Sequence, residues 1–167
     1  MSGFKIQKKI DENMKTRLQI EGAMDEHSDY SSIEKKFTDD VVFDFNNVDH
    51  INSTGIKHWV QWVSAIVDDN PNLKFYFVNC PKAIVDQINM VDGFLPKNSV
   101  VKSFKVPYYC EECEKDATYI FVLGREFKTE NGQTTVEAPT YPCNCATPNM
   151  EPDVIEQKYF RFLKDLK

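Results

Sequence analysis

Five cysteines are the residues of this chain best equipped for chemistry, and four of them fall in two close pairs. Cys110 and Cys113 make a C-x-x-C pair, and Pro142 then precedes a C-x-C pair at Cys143 and Cys145. Two pairs of thiolates, separated by enough chain to form a hairpin, have the spacing of a tetrahedral zinc site to which each pair gives two ligands. Such a site is closed: with four protein ligands and no place for water, Zn2+ held there supplies structure and no catalysis. The competing readings are disulfides, which a reducing cytosol disfavours, and idle thiols, which would leave a segment of about 60 residues with a thin core and no staple. Cys80, lying between an apolar run and Pro81, reads as a small buried hydrophobe.

The other candidates for chemistry are hydroxyls and carboxylates around residues 44–55. Asn52, Ser53 and Thr54 stand before Gly55 at the start of a helical pattern, where each has a side chain able to cap the helix. Asp44 and Asp49 resemble a pair of catalytic carboxylates only by proximity, since neither comes with a partnered histidine or a phosphate-cradling glycine motif. His50 and His58 are eight residues apart, too far for one helical face, and read as surface residues. The chain is therefore expected to be no enzyme, with no catalytic residues.

These residues are positioned by one stretch, 41–67, which reads as strand, polar loop and amphipathic helix in succession. Val41, Val42, Phe43 and Phe45 form an apolar run interrupted by Asp44, suited to a central parallel strand. Residues 45–53 read as a loop with Val48 and Ile51 tucked under it. From about Thr54 a helix follows, with Ile56, Trp59, Val60, Val63, Ile66 and Val67 on one stripe and Trp62 on the flank.

Asp44, Phe45, Val48, Ile51, Asn52, Ser53, Thr54, Gly55 and Ile56 resemble, place by place, the signature of a STAS domain, the fold of bacterial anti-sigma factor antagonists and sulfate transporter tails. The resemblance implies an α/β fold, a mixed sheet of about five strands with helices mainly on one face. It also implies a cytoplasmic regulatory module that binds a protein partner, such as an anti-sigma-type kinase, through Asp44, Asp49, Asn52, Ser53, Thr54 and Gly55. Phosphorylation at Thr54, or failing that Ser53, would control it. The chain departs from the pattern at Asn52, where antagonists usually carry Asp, and at Thr54, where many members have Ser.

The flanking elements are expected as follows. Residues 4–10 and 14–20 form a hairpin with an edge strand, and residues 28–36 hold a short helix capped at Ser31 or Ser32. Residues 73–78 form a strand, Pro81 opens a second helix, and 99–106 is the last strand of a STAS-like domain spanning 1–106. Residues 107–167 then resemble a zinc ribbon, with hairpin strands at 118–127 and 133–136 and a terminal helix from Asp153.

Composition narrows the partners. The 167 residues carry 20 basic and 26 acidic side chains, a net charge of −6, and from Pro107 onward seven basic face eleven acidic residues. A general nucleic-acid binder needs a basic surface to displace counterions, so a nucleic-acid module working through the ribbon is the rival reading, alongside nucleotide binding at the STAS loop. The longest apolar runs fall far short of the roughly 20 residues that cross a bilayer, and the amino terminus has no apolar signal region, which suggests a cytoplasmic location.

Overall fold

A computed structural model describes residues 3–145 and 149–164. Its eleven strands and four helices run β1 (Lys5–Ile10), β2 (Thr16–Met24), β3 (Val41–Ile51), α1 (Ser53–Asp69), β4 (Phe75–Val78), α2 (Lys82–Met90), β5 (Ser99–Val101), β6 (Ser103–Tyr109), β7 (Asp116–Val122), β8 (Phe127–Glu130), β9 (Gln133–Val136), β10 (Tyr141–Pro142), β11 (Asn149–Pro152), α3 (Glu156–Tyr159) and α4 (Arg161–Lys164). The first five strands make a mixed sheet in the order β1-β2-β3-β4-β5. The β1–β2 hairpin is antiparallel, and β2 through β5 run parallel.

Strand alternation divides that sheet into two faces. Leu18, Phe43, Phe77 and Val101 are register partners on the buried face. There the α1 stripe lays Trp59 edge-on to Phe43, Phe45 and Phe77, and the indole N–H donates to the carbonyl of Phe94 just beyond α2 at 3.0 Å. On the other face Arg17 pairs with Asp44 at 2.9 Å, and the ammonium groups of Lys15 and Lys102 lie 4.6 and 4.4 Å from the centre of the Tyr76 ring. Trp62, expected on the flank, is buried and stacks on Tyr30.

A second sheet, β10-β11-β6-β7, is antiparallel throughout, and β8 pairs with β9 in a separate hairpin. The two sheets meet where Cys80, fully buried, bridges to Phe104 at the start of β6. The chain end returns to this seam: Tyr159 donates to the carbonyl of Lys105, and Asn89 of α2 bonds both the carbonyl of Tyr159 and the amide of Phe162. One hydrophobic cluster consequently runs from Leu18 to Leu163.

Several expectations are corrected. Residues 28–36 form turns and bends, with no helix. Asp29 Oδ1 takes the Ser31 amide and Ser28 Oγ takes the Asp25 amide, local bonds that compete with helix formation, while Tyr30 and Ile33 turn into the core. The polar run 45–51 is strand, because β3 continues beside β2 through register shifts between Gln19 and Glu21 and between Gly22 and Ala23, with Gly22 in the left-handed region at φ 80°. Residues 99–106 are two strands in two sheets, separated at Lys102, whose amide bonds Phe77 and whose carbonyl accepts from Leu123. The expected boundary at residue 106 falls inside β6, the expected strand 118–127 ends at Val122, and the expected terminal helix is two single turns.

Gly55 is required by the way α1 meets the sheet. A Cβ there would overlap the carbonyl of Met24 and the amide nitrogen of Asp25, backbone atoms that cannot swing aside. In an open helix Gly55→Ala would stabilise by about 1 kcal/mol. Here it is expected to destabilise by roughly 2–4 kcal/mol, read as a lower denaturation midpoint at unchanged slope; an unchanged or higher midpoint would refute the close approach.

Candidate metal centre and the amino end of α1

The second sheet brings the two cysteine pairs to one end. Cys110 and Cys113 lie in the turn between β6 and β7, and Cys143 and Cys145 follow β10 in the turn toward β11. Because β11 pairs with β6 through Glu151 opposite Tyr109, the two turns are neighbours. The first is tight: Cys110 donates its amide to Lys115 and accepts from Glu114, which takes the left-handed conformation at φ 59°.

The four sulfurs lie within 4.8 Å of one another, and among the described residues this is the group whose His, Cys, Asp or Glu ligand atoms converge. Cys110 Sγ is 3.5 Å from Cys145 Sγ, and Cys113 Sγ is 3.5 Å from Cys143 Sγ. A tetrahedron with zinc–sulfur bonds of about 2.3 Å has edges of roughly 3.8 Å, whereas a disulfide needs about 2.05 Å. None of the four is in a disulfide. Backbone amides point at them: Cys113 and Glu112 donate to the Cys110 sulfur, and Lys115 to that of Cys113. The Cys110 thiol is held down to about 7, first by the Cys113 amide, and the Cys113 thiol is pushed up to about 12, first by the hydrogen bond it shares with Cys143. Donors aimed at sulfur favour thiolate, the form that binds a cation. The residues fit a soft tetrahedral metal ion such as zinc.

At the amino end of α1, Asn52 is the cap. Its side-chain oxygen accepts from the Gly55 amide at 2.8 Å, its amide group donates to Glu26 at 3.0 Å, and its backbone N–H bonds Met24 at 3.1 Å. The cap is therefore Asn52, and the hydroxyls of Ser53 and Thr54 are exposed in the first turn. The structure brings Asn52, Ser53, Thr54 and Gly55 together. Asp44 is elsewhere, seven residues or roughly 20 Å of strand before Ile51. It is buried and accepts from Arg17, from Asn79 at 3.1 Å and from the Asn46 amide at 3.0 Å. Asp49 is exposed on β3.

Sequence reading missed Arg17 and Asn79, the partners of Asp44. A signal existed for Arg17, which alternates outward along β2, but the left-handed Asn79, at φ 56°, is set by the turn from β4 to α2. It also missed how the outer edge of β7 is closed. Arg125 donates to the Ile120 carbonyl, and the Glu126 carboxylate, paired with Arg125, accepts from the Val122 amide.

Comparison with family models, with curated proteins and with solved structures finds no match for this chain. No helix among the described residues is long and apolar enough to cross a membrane.

Metal analysis of protein purified under reducing conditions without chelator is expected to give one zinc per chain, and Cys113→Ser or Cys143→Ser well under one. Chelation should raise hydrogen exchange in the turns at 110–115 and 141–145 while β2, β3 and β4 keep their protection, because Trp59 and its phenylalanine neighbours pack that part of the core on one another. Protein purified this way with no metal would sink the assignment.

Proposed function

We propose that this chain is a non-enzymatic, cytoplasmic regulatory module of the STAS type. It binds a protein partner through the amino end and exposed side of α1, and a structural Zn2+ on Cys110, Cys113, Cys143 and Cys145 holds its carboxyl-terminal sheet. The observation carrying the reading is the pair of exposed hydroxyls in the first turn of a helix whose entry is clamped by Asn52 and Gly55. A rigid helix end that offers free hydroxyls suits regulation by phosphate. The mixed five-stranded sheet, with its aromatic face under α1, is the scaffold the family resemblance leads one to expect. A protein kinase of the anti-sigma type is the partner class this resemblance favours.

Phosphate on Thr54 would add about −1.5 to −2 charge at the positive end of the helix dipole, an effect on the fold of only about 0.3–1 kcal/mol. The nearest acid on the cap is Glu26, whose carboxyl is held below its usual range by a backbone hydrogen bond and by Asn52. Asp44, spent on Arg17 and Asn79, takes no part. The modification therefore acts at the interface, where like charge and desolvation weaken a complex formed over unmodified Thr54.

The test is capture of partners on immobilised protein, with and without ATP, identified by mass spectrometry. Thr54→Asp is expected to shift Tm by less than about 4 °C while lowering partner affinity at least tenfold, and Thr54→Ala to bind yet escape regulation. If both variants bind like the parent and no phosphate is found on Ser53 or Thr54 in cells, the switch is absent.

A further inference from the structure

Two side-chain polar atoms among the described residues are buried without a hydrogen-bond partner, Tyr30 Oη and His58 Nδ1. Both residues line one hollow of about 360 Å3, together with Ser28, Lys35, Gln61 and Trp62. Its walls come from two parts of the chain. His58, Gln61 and Trp62 stand three and four residues apart on one side of α1, while Ser28, Tyr30 and Lys35 belong to the connection from β2 to β3. Tyr30 is only 8% exposed, and its ring lies on that of Trp62 with centroids 4.4 Å apart and planes 15° from parallel, so the phenol is held in place. Buried polar groups are ordinarily paired, and two orphans at one hollow indicate a group able to pair with both.

The lining sets the chemistry of that group. Every polar side chain there can donate: the hydroxyls of Ser28 and Tyr30, the ammonium of Lys35, the amide of Gln61 and an imidazole N–H of His58. No carboxylate is among them. Burial pushes the Tyr30 phenol upward in pKa, which keeps it a donor at any physiological pH. Lys35 is the one fixed positive charge, which matches a monoanion better than a phosphate dianion, and two coplanar carboxylate oxygens can accept from two separate donors.

We infer that the hollow between α1 and the β2–β3 connection is a carboxylate-binding site, in which Tyr30 and His58 donate to the two oxygens and Lys35 supplies the countercharge. Both donor atoms lie beneath the surface, so binding requires local adjustment of the side chains that line the hollow. The site stands independently of Thr54. Where the partner reading above holds, the carboxylate is an Asp or Glu side chain of the protein bound on the same helix.

The test titrates the reduced full chain with acetate, succinate and inorganic phosphate at constant ionic strength and follows the backbone amides of residues 28–35 and 58–65. Acetate and succinate are expected to give saturable shifts in this region, weakened about tenfold by Tyr30→Phe and by Lys35→Met. Tyr30→Phe should at the same time raise Tm, because it removes an unpaired buried hydroxyl. Lys35→Met, at an exposed position, tests the countercharge without touching the core. Three results overturn the proposal: no saturable shift by roughly 100 mM acetate or succinate; saturation by phosphate at lower concentration than by either carboxylate; or a Tyr30→Phe protein with lowered Tm and an unchanged titration, which marks the hydroxyl as structurally paired. Any of these leaves the Thr54 reading to be decided by partner capture.

Discussion

The backbone of Met24 lies where a side chain on residue 55 would project, so α1 can enter the sheet only with glycine at that position. The rest of the first sheet follows from that seat. Asn52 bonds Met24 and caps the helix from the same place, and one turn later Trp59 reaches the ring cluster of Phe43, Phe45, Phe77 and Phe94. Burying an indole of about 150–250 Å2 at roughly 25 cal/mol per Å2 contributes about 4–6 kcal/mol, and the Phe94 carbonyl satisfies its N–H, leaving no polar atom stranded. The helix is thus held by close backbone approach at one end and by aromatic burial along its length, while its outer side remains available to a partner.

The carboxyl-terminal sheet solves a different problem. Its strands are short, and β7, an edge strand, exposes Ile120. Arg125 and Glu126 occupy the edge hydrogen-bonding groups that another strand would use, which guards against sheet extension. Four sulfurs tie the two turns at its far end. At its near end it has no boundary of its own, since Phe104 belongs to one aromatic group with Phe121, Phe127, Phe160 and Phe162, and α2 bonds the chain terminus. The two sheets share one core, which Cys110 joins and against which Cys143 and Cys145 pack.

Charge follows the same division of labour. The buried Asp44 is matched by Arg17 and by two further donors, so its carboxylate is held on the face of the sheet away from α1. The strands β2 through β5 are crossed in one direction only, so the sheet has no point of reversed winding, the place where ligand crevices usually open in parallel sheets.

How much of this was legible in the sequence depends on whether the deciding forces were local. The apolar stripe of α1, the hairpin of β1 and β2 and the paired cysteines are patterns of nearest neighbours, so the chain alone determined a strand followed by its helix, a hairpin and two cysteine pairs able to hold a metal ion. Long-range contacts decided the rest. Polar residues 46–50 became strand because β2 shifted register to stay beside them; the stretch 99–106 divided because Lys102 bonds both Phe77 and Leu123; and at residues 28–36 the stacking of Tyr30 on Trp62 adds to the local turn bonds that displace helix. Among the three candidate caps the fold uses Asn52, whose local bond to the Gly55 amide is joined by its bonds to the Met24 carbonyl and the Glu26 carboxylate. Residues that bond across tens of positions leave no periodic trace, and the hollow at Tyr30 and His58 exists only once the connection has folded against the helix.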